Sequence, residues 1–271
     1  MHLLYTDEVN VDPRSSDFFI YGGVSVDANQ AASLSRRIDL VRQKHGYRPE
    51  DLLKFNTRER PDTISPETHR EIKRRVIEEA AAHGAILFAS FILHNIAASP
   101  EEARRKEINR VCFHFDCFLR ERDEYGIVLI DTFTDNNLPQ ILREKFSIGL
   151  SGLPYSDPYR LERVLGFHLA SIGSSNSSSV VDIVLGSLRY AVNCLDDPSR
   201  QDVVQTLLSQ LAPLCLKNDG GSIRELSLFF SPVRVRVPEY YEQYQNLRDF
   251  LTRNGLGGIE TRQEWGEENG C

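Results

Sequence analysis

No apolar run in this chain approaches the roughly 18 residues needed to cross a bilayer. The first residues lack a basic segment followed by an apolar stretch, so no secretory signal is expected there. Cysteine is sparse. The five, at 112, 117, 194, 215 and 271, are odd in number, and none forms a CxxC pair. That pattern argues against a structural zinc site and for a reduced, cytoplasmic protein. Basic charge is also short: 32 Lys and Arg against 39 Asp and Glu leave a net charge of −7. A broad nucleic-acid-binding surface usually makes a domain basic, so only a local basic groove remains open. The acidic excess equally suits a site that gathers carboxylates around a cation. No nucleophile elbow, phosphate-binding loop or dinucleotide fingerprint occurs. Repeats are absent, and the longest low-complexity tract is SSNSSS at 174–179.

What is present is an alternation of strand and helix signals. With 41% hydrophobic residues over 271 positions, a packed core is expected. Residues 1–256 read as one domain with insertions, and 257–271 as a polar, loose tail. Strands are expected at 2–7 and 18–26, joined across the turn-rich VDPRSSD, then at 85–93, 126–135 and 164–171. A strand pair is expected around 227–237. Helices are expected at 28–45, from Ser65-Pro66 to Gly84, from Ser99-Pro100 to about Glu124, at 180–195, at 200–216 and at 239–253. LLKFN (52–56) is ambiguous. The class is α/β with a mixed sheet.

The acids are the informative residues. Asp7 and Glu8 end the first strand, and Asp131 follows the uninterrupted apolar run GIVLI. Adjacent strand residues point to opposite faces, so Asp7 and Glu8 share one site only if the strand bulges. Ligands in open α/β sheets bind where strands end, so Asp7 and Asp131 meet if their strands are parallel neighbours. Asp182 lies on a helix stripe with Ser178, Gly186, Arg189 and Asn193, separate from the apolar stripe, and such a small-residue face permits close approach. Carboxylates crowded on one point repel unless a divalent cation holds them, and hard oxygen ligands suit Mg2+ or Mn2+. Two such ions about 4 Å apart form a clamp for attack on a phosphodiester. Plainer readings stand beside these: Asp131 as a turn former with Thr132, Asp135 and Asn136, and Asp182 as a solvent-facing side chain. His168 reads as a core or hydrogen-bonded histidine, with an assisting role only if its strand borders the acids. The basic clusters at 73–75 and 104–106 read as solvated helix faces, and Arg234 and Arg236 as one side of a strand. Tyr240, Tyr241 and Tyr244 read as packing residues.

Five segments, LLYTDEVN (3–10), FFIYGGVSV (18–26), LLKFN (52–56), GIVLIDTF (126–133) and SSVVDIVLGSLRYAVN (178–193), fall in the order of a known pattern. The chain resembles domain-of-unknown-function family 3800. Members open with a strand running into Asp-Glu-Ser-Gly, carry paired glycines on the next strand, then a lysine before an aromatic, and later a Gln-x-Ala-Asp helix. The resemblance implies a ribonuclease H-like mixed sheet with helices on both faces and a C-terminal extension. It further implies a metal-dependent nuclease acting on DNA or RNA. Its metal ligands map onto Asp7, Glu8, Asp131 and Asp182, with Glu8 ligating or orienting water and Lys54 contacting a phosphate. Val9-Asn10 stands where the family has Ser-Gly, and Ser179 and Val181 where it has Gln and Ala. A non-catalytic binding or assembly module on the same fold is the alternative.

Overall fold

The computed structural model describes residues 1–131, 138–147, 149–150, 159–171 and 175–266. Thr132, Asp135 and Asn136, Ser174 of the serine tract, and the last five residues lie outside them.

The opening hairpin is β1 (His2–Val9) and β2 (Phe18–Asp27), antiparallel, with Asp7 opposite Gly22 and Glu8 opposite Tyr21. Asp27 then caps α1 (Ala28–Lys44) by accepting the Asn29 N–H. Ser65 caps α2 (Pro66–Ala82) and Ser99 caps α3 (Pro100–Glu121), each hydroxyl accepting an N–H three residues on and each helix opening on proline. Between them runs β3 (Ile86–Leu93), buried at every residue. After α3 come β4 (Gly126–Asp131), α4 (Leu138–Ser147) and β5 (Val164–Ala170). The chain continues through α5 (Asn176–Asn193), α6 (Gln201–Leu211), β6 (Leu228–Ser231), β7 (Arg234–Val235), α7 (Pro238–Leu251) and β8 (Glu264–Trp265).

Six strands make one mixed sheet in the order β5-β4-β1-β2-β3-β6. β1 is parallel to β4 and antiparallel to β2. In register, Thr6 lies beside Ile130. Asp7 and Asp131, one residue further on, therefore lie side by side at the same end of the sheet.

Helices cover both faces. On one, α1, α2, α5, α6 and α7 pack with Ile20, Val24, Leu87 and Phe91. On the other, α3 closes over Leu4, Phe19, Tyr21 and Phe88, and Phe115 and Phe118 meet Phe88 edge-on at 5.8 and 5.6 Å. A Cβ at Gly22 would lie 2.6 Å from the Phe88 carbonyl and 2.8 Å from Leu185 of α5. Glycine there lets α5 lie close over the sheet.

Two expectations shift, and one ambiguous segment is resolved. The strands around 227–237 do not pair with each other: β6 joins the main sheet beside β3, and β7 pairs with β8. The expected loose tail is held up to Gly266, since Ile259 bridges Ile223, Gln263 is buried, and β8 is paired. LLKFN forms neither helix nor strand. No helix among the described residues is long and apolar enough to cross a membrane.

Candidate functional site

Asp7 and Asp131 line one cavity of about 260 Å³ with Thr6, Glu8, Val11, Tyr21 and Ile130. A second small gap, shared with Ser178 and Val181, joins both acids to α5. Asp7 accepts the Glu8 N–H at 2.7 Å. Burial drives its pKa from 3.8 up to about 7, against that hydrogen bond, and the charges of Asp131 and Asp182 push it the same way. Asp182, nearly two turns into α5, accepts the backbone N–H of Phe55. Its pKa is raised, mainly by burial, while the Phe55 N–H and the charge of Lys54 oppose the rise.

The segment LLKFN is what reaches over to Asp182. Phe55 packs against Gly186, where a Cβ would come within 2.3 Å of its ring. Lys73 of α2 donates to the Phe55 carbonyl at 3.0 Å and lies 4.0 Å over the Phe55 ring. Lys54 is thereby held near the acids. Its Nζ is 2.7 Å from Glu59, and its pKa is raised first by that bond and further by Asp182 and Asp131.

Glu8 behaves differently. Strand alternation turns it to the α3 face, where both of its oxygens accept from Arg104 in a mostly buried pair. It lines the shared cavity, but its carboxylate is committed to Arg104 rather than grouped with the aspartates. A pair of like burial left without its arginine is costly, which favours a structural duty.

The hard oxygen donors of Asp7, Asp131 and Asp182 are of the type that suits a divalent cation, and the Asp7 pKa is raised mainly by burial, with the neighbouring carboxylates adding to it. The three carboxylates are not as tightly grouped as another set. Among the described residues, the one trio of His, Cys, Asp or Glu with ligand atoms all within 4.8 Å is His2, Asp27 and Glu124, at the opposite end of β1.

Other residues are placed as follows. His168 is exposed rather than in the core, on β5, which does border the acids: it lies opposite Leu129 of β4, two residues before Asp131. His114 is stacked on Phe229 at 3.8 Å, and Asp116 is buried beneath Arg120, Tyr159 and the Arg163 N–H. Arg234 is exposed and paired with Glu264. Tyr244 is buried, accepting the Leu93 N–H.

Lys73 and Arg189 were not read from sequence as site residues. The signal for Lys73 lay in its spacing: His69, Lys73 and Ile77 follow at i, i+4 along the inward side of α2, and both flanking residues are buried. Arg189 was visible as a member of the Asp182 stripe. That stripe does face the site: Gly186 takes the Phe55 ring, and Asn193 exchanges amide hydrogen bonds with Asn10 at the end of β1.

No protein-family model matches the chain, and no curated protein matches it.

Proposed function

We propose that this chain is a ribonuclease H-like, divalent-metal-dependent nuclease that hydrolyses phosphodiester bonds of DNA or RNA. What supports the reading is that Asp7 of β1 and Asp131 of β4 line one cavity, with Asp182 of α5 near enough for its charge to act on Asp7. Acids on a first strand, a middle strand and a late helix are what the family resemblance implies. The Asn10 departure from that pattern is mild. Asn10 takes φ +58, a left-handed conformation that glycine favours and asparagine tolerates.

Asp7, Asp131 and Asp182 would hold Mg2+ or Mn2+. When bound, such ions supply Lewis-acid stabilisation of the phosphoryl oxygens and an activated water. The residues of the chain do the rest. Lys54, fixed by Glu59 beside the acids, offers its ammonium to a phosphate oxygen. The Phe55 N–H holds the Asp182 carboxylate in one orientation.

The test is a thermal melt of chelator-treated protein with and without Mn2+, beside Asp182→Asn. An ion that binds only the folded site adds roughly 2.7 kcal/mol of stability at one hundred times its Kd. The expected result is a rise in Tm that the variant loses, followed by Mn2+-dependent cleavage of labelled oligonucleotides. No rise in either protein would overturn the reading. It would leave the non-catalytic module, which one observation favours: Asp182 and Lys54 already have protein partners in the Phe55 N–H and Glu59.

A further inference from the structure

Beside the acid edge, α2, α5 and α6 enclose a cleft of about 870 Å³. Its lining carries six cationic side chains against three acidic ones, in a chain whose net charge is −7. Glu67 and Glu71, two of those acids, are paired with Arg70 and with Arg74 and Arg75. Arg58, Lys73 and Arg189 have no carboxylate within 4.0 Å among the described residues. The cleft therefore presents three cationic side chains outside any such ion pair, of which Lys73 is the weakest because burial lowers its pKa to about 8.

Two further features orient it. Phe55 is common to the cleft and the acids: its ring is on the cleft wall while its N–H reaches Asp182. Arg189 and Tyr190 border both this cleft and a neighbouring depression that runs to Glu8, Val9 and Asn10 at the end of β1. Tyr190 is partly buried, packed against the core on one side, and lines both depressions with its remaining surface. Cations that track a backbone, with an aromatic ring interleaved, are the elements by which proteins hold unpaired bases. In a duplex the bases are stacked on each other and cannot reach such a ring.

We propose that this cleft binds a single-stranded segment of nucleic acid flanking the scissile bond, with phosphates on Arg58, Lys73 and Arg189 and a base against Tyr190. The inference rests on the nuclease reading for where the scissile bond lies. The binding itself does not require metal.

The experiment is fluorescence anisotropy of a labelled oligodeoxythymidylate, in EDTA, with the full chain. The wild-type protein should bind the single strand more tightly than a duplex of equal length. With three phosphate contacts, log K should fall against log[salt] with a slope of about −2. Arg58→Glu with Arg189→Glu should weaken binding at least tenfold and flatten that slope. Tyr190→Ala should weaken binding with the slope unchanged. Arg58 is exposed, so Arg58→Glu alone serves if the double variant does not fold. Undiminished binding by the charge-reversal variant, equal binding of duplex, or no binding by wild type each overturns the inference. The two readings separate cleanly. EDTA binding that depends on Arg58 and Arg189, without any Mn2+-dependent melting shift or cleavage, sinks the nuclease and keeps the cleft. Cleavage in Mn2+ by a charge-reversal variant that binds like wild type sinks the cleft and keeps the nuclease.

Discussion

At the start of β1, His2 stands 2.9 Å from Glu124, with Asp27 alongside and Ser25 on its other nitrogen. At the far end of the same strand, Asp7 has Asp131 and Asp182 for neighbours. The first group is the tighter of the two, and it sets an imidazole, with the chain's N-terminal ammonium nearby, against its two acids. The second is looser and of one sign, and the fold leaves Asp7 with a pKa near 7. The tighter group sets a histidine against its acids, while the looser one sets carboxylate beside carboxylate, which is the arrangement the proposed cation would relieve. The same contrast separates Glu8 from Asp7. They are adjacent in sequence, but one is closed by Arg104 and the other is not.

That comparison can be broken most severely by activity. Asp7→Asn and Asp182→Asn are each expected to lower Mn2+-dependent cleavage at least ~100-fold, about 2.7 kcal/mol of transition-state stabilisation. Glu124→Gln should leave the rate within about twofold. Initial rates on a labelled oligonucleotide decide it, and equal losses at both ends would erase the distinction.

Stability in chelator sharpens it next. Asp7 has a folded pKa raised from 3.8 to about 7, so the folded state holds its proton more tightly than the unfolded chain. Stability is therefore lost as pH rises from about 4 to about 7, and the loss is complete above that. At about 1.4 kcal/mol per unit, the cost is roughly 4 kcal/mol at most. Asp7→Asn should stabilise the metal-free protein in urea melts at pH 8 and have no such effect at pH 4. A constant difference across that range would count against the raised pKa, which burial causes first and the neighbouring acids add to.

A smaller effect is expected at Gly186. Its Cβ would strike the inner atoms of Phe55, so Gly186→Ala should cost about 1–3 kcal/mol by overpacking. It should also weaken the Mn2+ shift, because the Phe55 N–H that holds Asp182 moves with the ring. Unchanged urea midpoints and metal response would show the loop to be loosely held. Smallest of all is the opposite lock. Burial lowers the pKa of His2, with Glu124 opposing, so His2 is neutral through the neutral range and keeps its hydrogen bond with Ser25. His2→Gln should cost about 1 kcal/mol, with no change in the response to Mn2+.

Much of the fold was legible because its signals are local. The Ser-Pro openings of α2 and α3, the glycine stop at Gly84 and the alternating or continuous apolar strands each act within a few residues. The meeting of Asp7 and Asp131 was legible only conditionally, since it depends on β1 and β4 being parallel neighbours. The partner of β6 was not legible. β3 lies well over one hundred residues upstream, and no short-range pattern encodes that pairing. The start of α5 was set too late because serine is a weak helix former, yet Ser175 caps the helix and Ser177, Ser178 and Ser179 are buried in its first turn. Lys73 was missed because a KRR run reads as solvent-facing, whereas its partners, a carbonyl and a ring, come from a segment with no regular structure of its own.

Phe55 and Gly186 also make the site readable in other sequences. The ring occupies the space that any side chain at 186 would need, and its backbone orients the acid one helical turn earlier. Across related chains the two positions should therefore covary, with a ring at 55 accompanied by glycine at 186, and with both lost together wherever the late aspartate has gone.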